Sequence, residues 1–204
     1  MMTVVALGDS TTAGTPGFES PIEAPPDGSG NPESQYAYWL MRAHPGWRVL
    51  NRGINGERTD QIQQRFNRDV LQANADLVII VAGVNDIYQG RTAESVQAGL
   101  LAMYGAARDA GIPVVAGSIL PYNTATPEQN ARMHAVNEWI RDDATRQTGV
   151  IFCDTRAAVA MPERPDVLLS SPDDIHPSPD GYRLMAHALI PAIERALRLG
   201  GRLR

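Results

Sequence analysis

Three polar residues in this sequence have the types and the setting that acyl transfer requires. That chemistry needs a nucleophile in hydrogen-bond contact with a base, and a third group that orients the base. Ser10 stands in Gly8-Asp9-Ser10-Thr11, directly after a short apolar run. His176 stands in Asp173-Asp174-Ile175-His176-Pro177. Ser10 is therefore the candidate nucleophile and His176 its general base. Asp173, three residues before the histidine, is placed to hold the imidazole tautomer and stabilise the imidazolium. Asp174 is its rival, and the spacing to His176 favours Asp173. Acyl transfer also needs donors aimed at the developing oxyanion. The backbone N–H groups of Ser10 and Gly56 and the side-chain amide of Asn85 are the candidates, and glycine at 56 suits a close approach of backbone to substrate. No G-x-S-x-G turn offers a rival serine.

These residues lie far apart in the chain, so a fold must gather them. Apolar runs at Thr3 to Leu7, Arg48 to Leu50, Leu77 to Ala82, Pro113 to Ala116 and Val150 to Cys153 read as strands. Runs without alternation suit parallel strands buried on both faces. Helical patterns separate them: Ser34 to Ala43, Thr59 to Ala73, Thr92 to Ala110 and one starting at Thr126. A last helix follows Ser178 or Pro179, with Pro191 expected to kink it. Strands alternating with helices predict an α/β fold with a five-stranded parallel sheet covered on both faces. Right-handed crossovers favour a flavodoxin-like strand order 2-1-3-4-5. Such sheets bind ligands at the carboxyl ends of their strands. The Ser10, Gly56 and Asn85 blocks each follow a predicted strand, and the His176 block comes some way after the last. One domain over residues 1–204 is expected.

The stretch from Thr15 to Glu33 breaks the pattern. It holds prolines 16, 21, 25, 26 and 32 and the acids Glu19, Glu23, Asp27 and Glu33, with no basic residue. A loop this long without secondary structure is unusual. The expectation is a semi-rigid wall or partial lid beside the site, an arm against a second subunit, or a disordered insertion.

Taken together, GDST at 8–11, the glycine of NRGINGERT at 56, GVND at 83–86 and DDIHPS at 173–178 resemble the four blocks of the SGNH (GDSL-type) hydrolase family. Each block alone is a weak signal, and four in order over most of the chain are a strong one. The resemblance implies a three-layer α/β/α fold and Ser-His-Asp esterase or lipase activity without a metal. By position, Ser10, Gly56, Asn85 and His176 match the four residues that name the family, and Asp173 matches its D-x-x-H aspartate. The sequence departs from the family at Thr11, where leucine or isoleucine often stands, and in the length of 15–33.

Composition narrows the alternatives. The sequence has a formal net charge of −5, which gives no support to a nucleic-acid or anionic-membrane partner. All of its basic residues other than histidine are arginine, so Schiff-base, pyridoxal and P-loop lysine chemistry are excluded. A phosphoacceptor domain of the same architecture would also need a lysine. A flavin carrier or a non-catalytic binding domain would leave Asp173 and His176 unexplained. The N-terminal apolar stretch is too short for a signal peptide and no run is long enough to span a bilayer, so a cytoplasmic protein is expected. The single cysteine, Cys153, is expected to be a buried strand thiol. His44, His134 and His187 read as structural or solvated, and no metal-ligand spacing or cofactor motif is present. Asp9 and Asp86 are expected to fix loop backbone. The partner is then a small-molecule ester, with homo-oligomerisation left open. The reading is a serine esterase for short-acyl or aryl esters, with Thr11, Asn55, Tyr88 and Tyr122 lining the pocket. Carbohydrate acetylesterase, thioesterase and lysophospholipase are the alternatives on the same site.

Overall fold

The computed structural model describes residues 1–201. In chain order the elements are β1 (Met2–Gly8), α1 (Ser10–Ala13), β2 (Phe18–Glu19), β3 (Ser29–Gly30), α2 (Tyr36–Ala43), β4 (Trp47–Gly53), α3 (Thr59–Gln64), β5 (Leu77–Val81), α4 (Val84–Tyr88) and α5 (Ala93–Asp109). They continue with β6 (Val114–Gly117), α6 (Pro127–Arg146), β7 (Val150–Cys153), α7 (Thr155–Val159), β8 (Ala160–Met161), β9 (Arg164–Leu168) and α8 (Pro179–Leu199). Five strands form one sheet in the order β4-β1-β5-β6-β7, and all of its pairings are parallel. Counted along the chain among the sheet strands, this is the order 2-1-3-4-5, with helices on both faces.

Strand alternation sorts the core into two layers. Val5, Leu7, Val78 and Ile80 face a cluster with Ile62, Leu100, Met103 and Val136, on the side of α3, α5 and α6. Val4, Ala6, Leu77 and Ile79 face Tyr36, Leu40, Met185, Leu189 and Ile193, on the side of α2 and α8. β5 is buried at every position, which explains its unbroken apolar run. Among the described residues β4 pairs with β1 alone, and its burial alternates along its length. That edge position explains why its sequence signal is weak and why the strand runs beyond the three residues expected.

The helix ends follow local chemistry. The side-chain oxygens of Thr92, Thr126 and Ser178 cap α5, α6 and α8. α8 runs through Pro191 without a break. Pro191 is exposed, so the N–H it lacks falls on the solvent side of the helix. The segment from Thr59 to Ala73 is not one α-helix: α3 ends at Gln64, and a π-helical turn follows at Asn67–Leu71. Cys153 is buried, and its thiol donates to the Ala188 carbonyl at 3.3 Å. Burial, together with the charge of Asp154, pushes that thiol up to about 12.

The 15–33 segment departs from expectation. It is folded onto the body of the protein and has structure of its own: β2 and β3 pair antiparallel, and a 3₁₀ turn follows at Pro32–Ser34. Phe18 and Ser20 are buried, and Ser20 Oγ donates to the Gly53 carbonyl at 2.6 Å.

Candidate active site

β1 ends at Gly8, where a Cβ would lie 2.4 Å from the Val81 carbonyl oxygen and 2.2 Å from Thr12 Oγ1. Glycine therefore lets the chain turn tightly into α1. Asp9 caps that helix by accepting from the Thr11 N–H at 3.0 Å, and Ser10 opens it. Ser10 Oγ lies 2.9 Å from His176 Nε2, and His176 Nδ1 lies 2.7 Å from Asp173 Oδ2. The other Asp173 oxygen accepts from the backbone N–H of His176 at 2.8 Å and of Ile175 at 3.0 Å. Burial opposes the charged Asp173 carboxyl. The bonds it accepts from the His176 ring and from the two N–H groups outweigh burial and hold it below the usual carboxylate range. Asp174 takes no part in this chain. Its φ is +63°, and its side chain and carbonyl accept from Asn123 at 2.9 and 2.7 Å.

The candidate oxyanion donors lie on the same rim. Gly56 has φ of +75° and open space where a Cβ would stand, so the backbone conformation, not crowding, calls for glycine. Asn85, at the start of α4, donates from Nδ2 to the Glu57 carbonyl at 3.0 Å. That bond uses one of its two N–H groups and leaves the other for a ligand. Ser10, Thr11, Asn55, Gly56, Asn85, Tyr88, Tyr122 and His176 all line one cavity of about 260 Å³. Tyr88 is 62% exposed and meets the buried Tyr122 edge to face, with ring centroids 6.1 Å apart. Val84, Leu120, Pro121 and Ile175 complete the lining. No residue of 15–33 is among the lining residues; the segment meets the site from behind, at Asn55.

Residues beyond those predicted from the sequence support the site. Arg65 is buried; it donates to the Gly8 and Arg52 carbonyls, each at 2.8 Å, and pairs with Glu57 at 2.6 Å and Asp69 at 2.7 Å. It thereby ties the ends of β1 and β4 to the segment carrying Gly56. An arginine between Ile62 and Phe66 on a buried stripe was the available signal. Asp86 acts over a longer range than a local turn: it accepts from the N–H and hydroxyl of Thr59 at 2.8 and 2.9 Å. Asp9 is fully buried, and one of its oxygens has no hydrogen-bond partner among the described residues. Burial first, with the nearby Asp86 charge adding to it, raises its pKa from 3.8 to about 7.

Other polar groups have ordinary explanations. His134 pairs with Asp166 at 2.7 Å, and Asp166 also binds Arg156 at 2.6 Å. Among the described residues, no group of three or more His, Cys, Asp or Glu side chains is arranged to hold a metal, and no helix is long and apolar enough to cross a membrane. A larger groove of about 850 Å³ is lined in part by Arg108 and Arg146. These arginines stand in the last turns of α5 and α6, where they complement the helix dipoles.

A serine hydroxyl, an imidazole and a carboxylate thus stand in series beside backbone and amide N–H groups at one rim of an α/β/α sandwich. A model of the GDSL-like Lipase/Acylhydrolase family matches residues 6–184; the chain belongs to that family and is a carboxylic ester hydrolase. An acetylxylan esterase from Geobacillus stearothermophilus is 28% identical over 174 residues, covering 78% of each chain. Among solved structures, a protein described as a G-D-S-L family lipolytic protein from Desulfitobacterium hafniense is 26% identical with a TM-score of 0.77, covering 94% of this chain and 99% of its own. The psychrotrophic esterase EstA from a Pseudoalteromonas species shares the fold at 18% identity and a TM-score of 0.72, covering 97% of this chain and all of its own (100%).

Proposed function

We propose that this chain hydrolyses short-acyl carboxylic esters through an acyl-enzyme on Ser10. The observation that carries the proposal is the unbroken hydrogen-bond chain from Ser10 Oγ through His176 to Asp173. His176 Nε2 takes the serine proton as Oγ attacks the ester carbonyl, and Asp173 stabilises the resulting imidazolium. The oxyanion of the tetrahedral intermediate is held by the N–H groups of Ser10 and Gly56 and the free N–H of Asn85. His176 then returns the proton to the leaving alcohol, and water repeats the sequence to release the acid. A cavity of about 260 Å³ falls below the roughly 300–1,000 Å³ of drug-sized sites, which favours a small acyl group. Thr11, Asn55, Tyr88 and Tyr122 shape its walls.

A second reading, an acetylesterase acting on carbohydrate, draws on the acetylxylan esterase relative and on the exposed Tyr88 ring, a surface on which a sugar can stack. The test is a panel of nitrophenyl esters of rising acyl length beside acetylated xylo-oligosaccharides, with a fluorophosphonate to label the nucleophile. Acetate and propionate esters should turn over fastest, and the adduct should map to Ser10. Ser10→Ala should fold normally and lose at least about 10⁴-fold in kcat. An adduct on another residue would remove the mechanism.

A further inference from the structure

The acid-rich segment meets the candidate oxyanion site at Asn55, through the Glu23 carboxylate and the Thr15 hydroxyl. The Glu23 carboxylate accepts from the backbone N–H of Asn55 at 2.9 Å, and from Asn55 Nδ2 at 2.9 and 3.0 Å to its two oxygens. The Thr15 hydroxyl donates to Asn55 Oδ1, which occupies the remaining polar atom of that side chain. Glu23 is itself anchored: its N–H donates to the Ser20 carbonyl at 3.0 Å, and Ser20 Oγ donates to the Gly53 carbonyl at 2.6 Å.

Asn55 is the residue before Gly56. The turn that carries Gly56 has little to hold it from within. Its own backbone bond, from the Glu57 N–H to the Ile54 carbonyl, is long at 3.5 Å, and Gly56 has left-handed backbone with no side chain to pack. Such a turn keeps one geometry only if groups outside it fix its peptide planes. On one side the Asn85 amide holds the Glu57 carbonyl and Arg65 holds the Glu57 side chain. On the other side the Ile54 N–H donates to the Gly8 carbonyl at 3.2 Å, and the next peptide, Ile54–Asn55, is held through its N–H by the Glu23 fork, a charge-assisted set of bonds on a single residue.

We infer that Glu23 is a positioning residue: its carboxylate fixes the Ile54–Asn55 peptide and thereby the Gly56 N–H in the oxyanion hole. This inference rests on the serine-esterase reading above. It gives the 15–33 segment a role as a brace behind the donor turn. The four negative charges are then incidental to substrate selection, because the one carboxylate that meets the site is spent on two N–H groups. Oxyanion donors count only when aimed at the position the oxygen reaches in the transition state, so loosening one lowers kcat more than it raises KM.

The experiment compares Glu23→Ala, Glu23→Gln and Glu23→Asp with the wild type, by steady-state kinetics on a neutral acetate ester and by the rate of fluorophosphonate labelling at Ser10. Glutamine keeps an acceptor at the same reach, whereas aspartate keeps the charge but withdraws it by one methylene. Alanine and aspartate should each lower kcat by about tenfold, with KM within about twofold, and slow labelling by a similar factor. Glutamine should recover to within about threefold of wild type. Melting temperatures of the three variants separate this from lost stability, which would not be repaired by glutamine in kcat alone. The inference is overturned if alanine and aspartate leave kcat unchanged while wild type labels at Ser10. It is also overturned if the change appears in KM only, or if glutamine is as slow as alanine, which would make the charge the active feature. A wild type that neither cleaves esters nor labels at Ser10 removes the serine-esterase reading, and the brace falls with it.

Discussion

Two segments of mainly irregular backbone reach the candidate site, and they do so by opposite means. The stretch at 170–178 delivers side chains, Asp173 and His176, while its backbone is pinned elsewhere: Asn123 holds Asp174, and the Ser178 N–H donates to the Ser170 carbonyl at 3.0 Å. The stretch at 15–33 delivers no side chain to the cavity. It offers a carboxylate to a neighbouring turn. Proline and acid content marked 15–33 as unusual, yet its composition described only its stiffness and charge. Its role lies in which donors its one engaged carboxylate meets. The segment at 170–178 looked ordinary in composition, and its spacing alone carried the chemistry.

The largest expected effect lies at Asp173. If 170–178 exists to present a charged, oriented carboxylate, Asp173→Asn should keep the fold and cost about 10³–10⁴ in kcat, because the wrong imidazole tautomer then faces Ser10. The bonds from His176 and Ile175 hold Asp173 below the usual carboxylate range. It should therefore stay ionised into acid solution, and its stabilising contribution should be lost only as pH falls through that lowered value. A variant that retains more than a tenth of wild-type kcat would show that Asp173 is dispensable.

Next in size is the amide of Asn85. Asn85→Ala removes one oxyanion donor and the bond to the Glu57 carbonyl, and kcat should fall by about 10²–10³ with a smaller change in KM. A loss under about threefold would assign Asn85 to loop shape alone.

Asn123 tests whether the chemistry-bearing segment needs its pins. It accepts from the Leu168 N–H and donates to Asp174, so it joins β9 to the segment that follows it. Asn123→Ala should lower kcat by about five- to tenfold, the worth of roughly one net hydrogen bond. Unchanged kinetics would mean that the bonds Asp173 accepts suffice to hold the loop.

How far the sequence could reveal this arrangement differs between its parts. β5 and α8 were legible because burial on both faces, or on one clean stripe, leaves a long apolar pattern. That Ser10, Gly56, Asn85 and His176 meet at one cavity was legible from short blocks, the first three just after predicted strands and the last identified by its D-x-x-H spacing. The break after Gln64 was not, since a π-helical turn keeps the same apolar residues inward as an α-helix. Arg65, Asn123 and Glu23 were hidden for a common reason. Each acts on backbone groups distant in the chain, and nothing in a residue's own neighbourhood shows which remote carbonyl or N–H it will meet.

The smallest effect belongs to Asp9, the buried acid beneath the nucleophile turn. Its folded pKa, about 7, lies above the ordinary 3.8. Between those values the folded protein binds more protons than the unfolded chain, so this group's contribution to stability falls as pH rises across the window and levels above it. Asp9→Asn cannot ionise. The melting temperature of wild type minus that of Asp9→Asn should therefore decline by a few degrees from pH 4 to pH 8, as expected when about 1 kcal/mol or more is lost. A difference that stays flat would show that Asp9 is ionised throughout.

Cys153 has a practical consequence for anyone watching this enzyme work. A thiol pushed up to about 12 carries thiolate at neutral pH at a fraction on the order of 10⁻⁵, and its hydrogen is engaged with the Ala188 carbonyl. It is also the sole cysteine in the chain. The native protein is thus nearly silent toward maleimides and iodoacetamides, and no cysteine-free background has to be built. A single cysteine placed at the solvent-exposed position of Tyr88 would be the thiol that reacts, and a dye or spin label attached there would sit at the mouth of the cavity.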